Sequence, residues 1–175
     1  MNTSAPADEA RLLAVYRGLT DGRQPDQVSL IVPNLAEAVQ KWSAILEGDW
    51  LIYTYGPDTL PVSTYRGEPG RFRIRLALQG REPQVELIEL LEGPSLYHEW
   101  LGSHGWGMHH VGYWVPSIDA VVAAFRDAGV EPHMTGSGYG VAGDGGYAYY
   151  DFVEMLGVVV EFIEVPSVRR PSEVL

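Results

Sequence analysis

The chain is built from one pattern written twice. Residues 27–42, QVSLIVPNLAEAVQKW, align without gaps with residues 110–125, HVGYWVPSIDAVVAAF. The match sets Val28 against Val111, Val32 against Val115, Pro33 against Pro116, Leu35 against Ile118, Val39 against Val122 and Trp42 against Phe125. A second match sets residues 85–90, VELIEL, against residues 160–165, VEFIEV. Internal self-similarity means that each copy is a structural unit with an apolar face that the other copy helps to bury. Whatever the first half folds into, the second half must fold into as well.

Each copy reads the same way locally. Residues 27–32 and 110–115 are rich in β-branched and aromatic side chains, and each run is stopped by a proline that cannot donate to a strand ladder. Asn34 and Ser117 then stand at the N-cap of a helix. Its apolar residues (Leu35, Ala38, Val39, Trp42 and Leu46; Ile118, Val121, Val122 and Phe125) recur at three and four, as in a helix covering a sheet. The first copy continues through strands at 50–55, 71–78 and 84–90, and the second through strands at 130–134, 147–152 and 157–165. The order predicts an α+β fold of two βαβββ modules. The expected organisation is an N-terminal helical extension (1–24, with a helix at 7–19), a first module (25–92), a linker helix (93–107), a second module (108–166) and a tail (167–175); Pro166 and Pro171 argue against a further strand from 166 onward.

Composition narrows the chemistry. Twelve Lys and Arg stand against 23 Asp and Glu, a net charge of −11, which repels a polyphosphate backbone. Neither nucleic acid nor an anionic membrane surface is an expected partner. The chain has no cysteine, so disulfides, cysteine zinc sites, iron–sulfur clusters and thiol nucleophiles are excluded, and any metal must be held by His, carboxylate or amide groups. No apolar run approaches the roughly 20 residues that span a bilayer, and residues 1–10 lack the basic-then-apolar pattern of a secretory leader. A soluble cytoplasmic protein is expected.

Alternation along strands selects the candidate site. Side chains alternate between the two faces, so Gln27, Ser29 and Ile31 share one face while Val28, Leu30 and Val32 share the helix-packed one. By the same parity His110 lies opposite Val111, Glu86 opposite Leu87, and Glu161 opposite Val160 and Phe162. Each of four strands therefore points one ligand-capable side chain away from the helices, at repeat-equivalent positions: Gln27 with His110, and Glu86 with Glu161. The remaining histidines, His98, His104, His109 and His133, read as ordinary hydrogen-bonded core or surface residues.

With these residues in place, the sequence resembles the vicinal oxygen chelate superfamily, which includes glyoxalase I, methylmalonyl-CoA epimerase, extradiol dioxygenases and bleomycin-binding proteins. The resemblance covers residues 27–165. GMHHVGYWVPSIDAVVAAFRDAGVE is similar to the second-module opening of epimerase-type members, QVELIELLEGPS to the strand closing the first module, and LGVVVEFIE to the last strand. It implies an open, eight-stranded incomplete barrel around a divalent metal ion (Zn, Ni, Co, Mn or Fe) held by Gln27, Glu86, His110 and Glu161. A Gln, Glu, His, Glu set in that order is similar to one class of glyoxalase I. The sequence departs from epimerases and dioxygenases at Gln27, where those usually have His, and in a strand, residues 71–76, that carries arginines where epimerases place a second acid. The implied activity is metal-dependent proton transfer next to a carbonyl, by an isomerase, epimerase or lyase, with Glu161 as the first choice of base and Glu86 as the second. The alternatives are an iron-dependent dioxygenase acting on an aromatic substrate and a non-enzymatic module that sequesters a small molecule. The family pattern also implies a homodimer, as do the exposed strands expected here.

Three further features bear on the substrate. Arg71, Arg73 and Arg75 alternate along one strand and so share a face. Either they pair with surface carboxylates, or Arg73 and Arg75 reach the cavity rim and hold an anionic carbonyl compound such as a keto acid or an acyl thioester of coenzyme A. Trp114 and a set of tyrosines (Tyr53, Tyr55, Tyr147, Tyr149, Tyr150) are core candidates, some of which would line the cavity and favour a bulky apolar group. The glycine-rich residues 136–146 lack the Lys-Ser/Thr ending of a phosphate loop and read as a connection covering the cavity mouth.

Overall fold

The computed structural model describes residues 5–80 and 83–175, so the first four residues of the expected extension lie outside the described residues. Helix α1 (Ala5–Thr20) is followed by β1 (Gln27–Ile31), α2 (Leu35–Trp42), β2 (Leu51–Tyr55), β3 (Val62–Tyr65), β4 (Glu68–Pro69), β5 (Arg73–Gln79) and β6 (Gln84–Glu92). Helix α3 (Leu96–His104) leads to β7 (Gly107–Trp114), α4 (Ile118–Asp127), β8 (Met134–Tyr139), β9 (Gly145–Phe152), α5 (Val153–Leu156), β10 (Val158–Glu164) and β11 (Glu173–Val174). The caps are where the sequence puts them: the Glu37 N–H donates to Asn34 Oδ1 at 2.9 Å, and the Ala120 N–H donates to Ser117 Oγ at 3.3 Å.

All strands join one mixed sheet in the order β11-β2-β5-β6-β1-β7-β10-β9-β8-β3-β4. Its middle is an antiparallel seam between β1 and β7, with β6 parallel to β1 and β10 parallel to β7. Outward from the seam the two halves repeat one order, β1-β6-β5-β2 on one side and β7-β10-β9-β8 on the other. The sheet curls without closing: Tyr55 on β2 meets Tyr139 on β8 edge to face, with ring centroids 5.4 Å apart, although six strands separate β2 from β8 in the sheet.

Two elements that the sequence does not announce take the sheet's edges. The chain leaving β2 crosses to the far side, where β3 pairs with β8 and folds back as the β3–β4 hairpin. The tail, expected to hold no strand, ends in β11, which pairs with β2. Its prolines, Pro166 and Pro171, precede β11 and so do not interrupt the pairing. The sheet therefore has eleven strands rather than eight, and its outermost strands, β11 and β4, are two residues long, which blunts edge pairing between copies. Exposed strand edges thus give no support to a homodimer.

The glycine-rich segment also differs from the expected loop. Residues 136–139 belong to β8 and residues 145–146 to β9, leaving 140–144 as the turn. Gly136 has a steric reason to be glycine, since a Cβ there would lie 2.4 Å from the Tyr147 ring on the paired strand. The expected strand at 130–134 starts only at Met134, because Gly129, with φ of +86°, turns the chain after α4.

Three apolar cores follow from the alternation. Outside the curl, α2 lays Leu35 and Val39 on Ile52, Ala77 and Leu87, while α4 lays Ile118, Val121 and Phe125 on Tyr150, Val160 and Phe162. Each such buried side chain contributes about 1.5–3 kcal/mol. Inside the curl, Ile31, Ile74, Leu76, Ile88, Met134 and Tyr149 form the third core, joined by Leu96 and Tyr97 of α3. The candidate polar residues sit on this inner face.

Candidate metal centre

The four central strands carry the site. Register across the seam sets Gln27 opposite Gly112 and Ser29 opposite His110, with Glu86 beside Ser29 on β6 and Glu161 beside Gly112 on β10. All four expected donors are buried: His110 is fully inaccessible, Gln27 3% exposed, and Glu86 and Glu161 6% each. His110 Nε2 lies 3.0 Å from Glu161 Oε2 and 3.3 Å from Glu86 Oε2, and one donor atom from each of the three falls within 4.8 Å of the others. Gln27 shares a cavity wall with Glu86 and Glu161. Gly112 makes room for it, because a Cβ there would approach Gln27 Oε1 to 2.9 Å.

The donors are oriented for an occupant that protein atoms do not supply. Gln27 Nε2 donates to Gln84 Oε1 at 3.0 Å, which leaves its carbonyl oxygen free. Gln27 Oε1, Glu86 Oε2 and His110 Nε2 are all buried without a hydrogen-bond partner. The His110–carboxylate approaches are therefore short but poorly aligned as hydrogen bonds. Unpartnered buried polar atoms are costly. Two carboxylates and an imidazole clustered together, with an amide oxygen on the same cavity wall as the carboxylates, make a donor set that fits a divalent cation.

Electrostatics agree. Burial works to lower the pKa of His110, but the nearby charges of Glu161 and Glu86, 3.0 and 3.3 Å from Nε2, overcome it and push the imidazole up to about 9. Burial, opposed by His110 and reinforced by Glu86, holds the Glu161 carboxyl above the usual carboxylate range. Without a cation the site holds protons instead.

His109 is the member that sequence reasoning missed. Between Ser29 and Leu30 the β1–β7 register steps from His110 to Met108, so His109 is the extra residue of a β-bulge. The bulge brings both histidines together, with their Nδ1 atoms 2.7 Å apart. Burial, then the charges of His110 and His104, push His109 well below its ordinary pKa, so it stays neutral. Its Nδ1 accepts the His110 Nδ1–H, which leaves His110 Nε2 as the donor atom facing the carboxylates. Alternation assigns neighbours on a strand to opposite faces, and no sequence signal marks the bulge.

The cavity beside these donors is about 50 Å³ and is walled by Phe72, Ile74 and Leu76 of the first half and by Tyr139, Tyr147 and Tyr149 of the second. Of the tyrosines read as core candidates, Tyr55, Tyr147 and Tyr149 line it, while Tyr150 packs under α4. Tyr97, from α3, also lines it and shares a hydrogen bond with the Tyr149 hydroxyl at 2.8 Å. Burial raises Tyr97, Tyr147 and Tyr149 well above the usual phenol pKa, so they stay neutral donors. Trp114 is half-buried at the end of β7 and does not line the cavity. Arg73 and Arg75 do not line it either: Ile74 and Leu76 face inward, so the arginines face outward, Arg73 onto Asp58 and Glu92 and Arg75 onto Glu173. The alternation of residues 73–76 already contained that answer.

Residues 26–150 match the profile of the glyoxalase/bleomycin resistance protein/dioxygenase superfamily, and the chain belongs to that superfamily. Within it, the buried cluster of Glu86, His110 and Glu161 is compatible with a divalent metal site. A set with one imidazole and two carboxylates gives no support to the dioxygenase alternative. The methylmalonyl-CoA epimerase of Mycobacterium tuberculosis is similar at 22% identity and a TM-score of 0.56, over 82% of this chain and 87% of that one. A variant of the Streptomyces coelicolor epimerase, solved in complex with 2-nitronate-propionyl-CoA, is 20% identical with a TM-score of 0.56, over 85% and 98%. A hypothetical protein of Bacillus halodurans is also similar, at 20% identity and a TM-score of 0.52 over 84% and 97%. At such identities the likeness is one of fold. No curated protein matches the chain.

Proposed function

We propose that this chain is a metal-dependent isomerase, epimerase or lyase that moves a proton next to a carbonyl, its ion held by Gln27, Glu86, His110 and Glu161. The observation that carries this reading is the group of buried, unpartnered atoms, Gln27 Oε1, Glu86 Oε2 and His110 Nε2, beside a cavity too small for anything but a reacting head group. A divalent ion there (Zn, Ni, Co, Mn or Fe) would supply positive charge to a carbonyl oxygen and acidify the adjacent C–H. Glu161 is the base: its carboxyl lines the cavity beside the proposed ion, and a carboxylate that loosens from the ion can serve as both ligand and proton acceptor. Glu86 is the second candidate. The Tyr147 hydroxyl, buried, neutral and without a partner, is positioned to donate to a substrate oxygen. The walls exclude bulk water, which strengthens each of these interactions.

The reading treats the sheet as two βαβββ modules whose eight strands form the incomplete barrel, with β3, β4 and β11 as additions. It admits a coenzyme A thioester as one substrate class, by analogy with the epimerases of similar fold. A cytoplasmic homodimer belongs to the same proposal, and light scattering tests the dimer against the 19.3 kDa monomer mass. The activity is tested by incubating the metal-loaded chain with α-hydroxy carbonyl compounds and 2-methyl acyl thioesters in deuterated water. Deuterium should enter at the carbon next to the carbonyl, and Glu161→Gln should abolish it. Exchange that persists undiminished in Glu161→Gln would remove Glu161 as the base.

A further inference from the structure

The arginines expected to hold an anion face away from the cavity, yet another arginine stands at its mouth. Arg169, in the tail between β10 and β11, lines both the inner cavity and a depression outside it of about 400 Å³. Tyr55 and Arg169 are the residues common to both spaces, so they form the partition. The guanidinium carbon lies 5.9 Å from the ring centroids of both Tyr53 on β2 and Tyr139 on β8, between the two lips of the curled sheet.

The tail is tied on both sides of Arg169. Before it, the Ser167 N–H donates to Asp144 Oδ2 at 3.0 Å and the Val168 carbonyl accepts from the Val141 N–H at 2.9 Å. After it, the Ser172 N–H donates to the Ile52 carbonyl at 2.8 Å, and β11 pairs with β2. The segment is a strap across the opening of the sheet, with Arg169 at its middle.

Position sets this arginine apart: Arg11, Arg17, Arg71 and Arg170 also lack an ion pair among the described residues, but Arg169 alone of these lines the inner cavity. Arg23, Arg66, Arg73, Arg75 and Arg126 each stand within ion-pair distance of a carboxylate. Among the described residues none does so for Arg169, whose Nε is buried and without a hydrogen-bond partner. In a chain of net charge −11, a half-buried guanidinium kept free of carboxylates, with the neutral Tyr139 hydroxyl as its hydrogen-bonding neighbour, can turn planar donors to an incoming anion, and one guanidinium matches one carboxylate.

We propose that Arg169 is the specificity-determining anchor for a carboxylate on the substrate, a few bonds from the carbonyl that reacts; this rests on the reading of the inner site given above. The inner cavity of about 50 Å³ admits only a small head group, since a single water needs about 10–15 Å³ of such space. The carboxylate stays in the outer depression, where exposed Arg170 adds positive charge.

The test is calorimetric titration of the zinc-loaded chain with succinic acid monohydroxamate and with butyrohydroxamate, which share a chelating head and differ in the terminal carboxylate. The carboxylate should tighten binding by about tenfold or more, the worth of a charge-assisted hydrogen bond. Arg169→Gln should cut that preference to below about twofold while butyrohydroxamate affinity and zinc content hold, and Arg169→Lys should keep part of it. Equal affinities in the parent chain, or a preference that survives Arg169→Gln, overturn the proposal. Failure of the metal reading shows separately, as no retained zinc and no binding of either hydroxamate. Succinate titrated against the metal-free chain then decides the anchor: it must bind the parent, and Arg169→Gln must weaken it.

Discussion

His110 sits between two carboxylates on one side and a second histidine on the other, and its two nitrogens have separate tasks. Held at about pKa 9 without a cation, it must lose a proton before Nε2 can serve an ion. Metal binding at pH 7 should therefore release at least one proton, detectable by calorimetry in buffers of different ionisation enthalpy. Affinity should climb about tenfold per pH unit for this group alone until pH 9, then level. Loading without proton release at pH 7 would contradict a protonated His110 in the metal-free chain. His109→Leu removes the acceptor that fixes the His110 ring, so metal affinity should fall by about 10–100-fold with the far-ultraviolet spectrum unchanged; unchanged affinity would reduce His109 to packing. At this scale the sequence was half legible. Strict alternation placed Gln27, Glu86, His110 and Glu161 on the face away from the helices, because each has apolar strand neighbours that face the helices. It could not locate His109, whose direction depends on a bulge, or Arg169, whose direction depends on where the tail pairs.

Helices and strands were legible where their signals are local. Asn34 and Ser117 cap α2 and α4 because their side chains meet backbone donors three residues on, and Pro33 and Pro116 follow β1 and β7 because proline cannot extend a ladder. The hairpin of β3 and β4 and the terminal β11 were not legible, since their partners are edges created by the curl rather than neighbours in sequence. Glycine-rich residues 136–139 looked like loop because composition says nothing of the Tyr147 ring that crosses Gly136. Gly136→Ala puts a Cβ within 2.4 Å of that ring, so it should destabilise the chain by about 1–3 kcal/mol. Urea denaturation checks this: the midpoint should fall with the slope unchanged, and an unmoved midpoint would mean that Tyr147 gives way freely.

Across the whole molecule, the repeat has a physical purpose that the sheet makes plain. Each half ends its own four-strand order at the seam, and the proposed donors come two from the first half, Gln27 and Glu86, and two from the second, His110 and Glu161. An ion bound there would join the halves as well as serve the proposed chemistry. It binds the folded state alone, so free ion at 100 times its dissociation constant should add about 2.7 kcal/mol to stability, visible as a higher thermal midpoint. The central claim is that the repeat builds one divalent metal site per chain. Elemental analysis of the purified, dialysed protein tests it most directly. The account predicts one divalent ion per 19.3 kDa chain and loss of that ion in His110→Ala; a parent chain that retains no ion after zinc, nickel, cobalt or manganese is offered, or a His110→Ala chain that retains it equally, would contradict it.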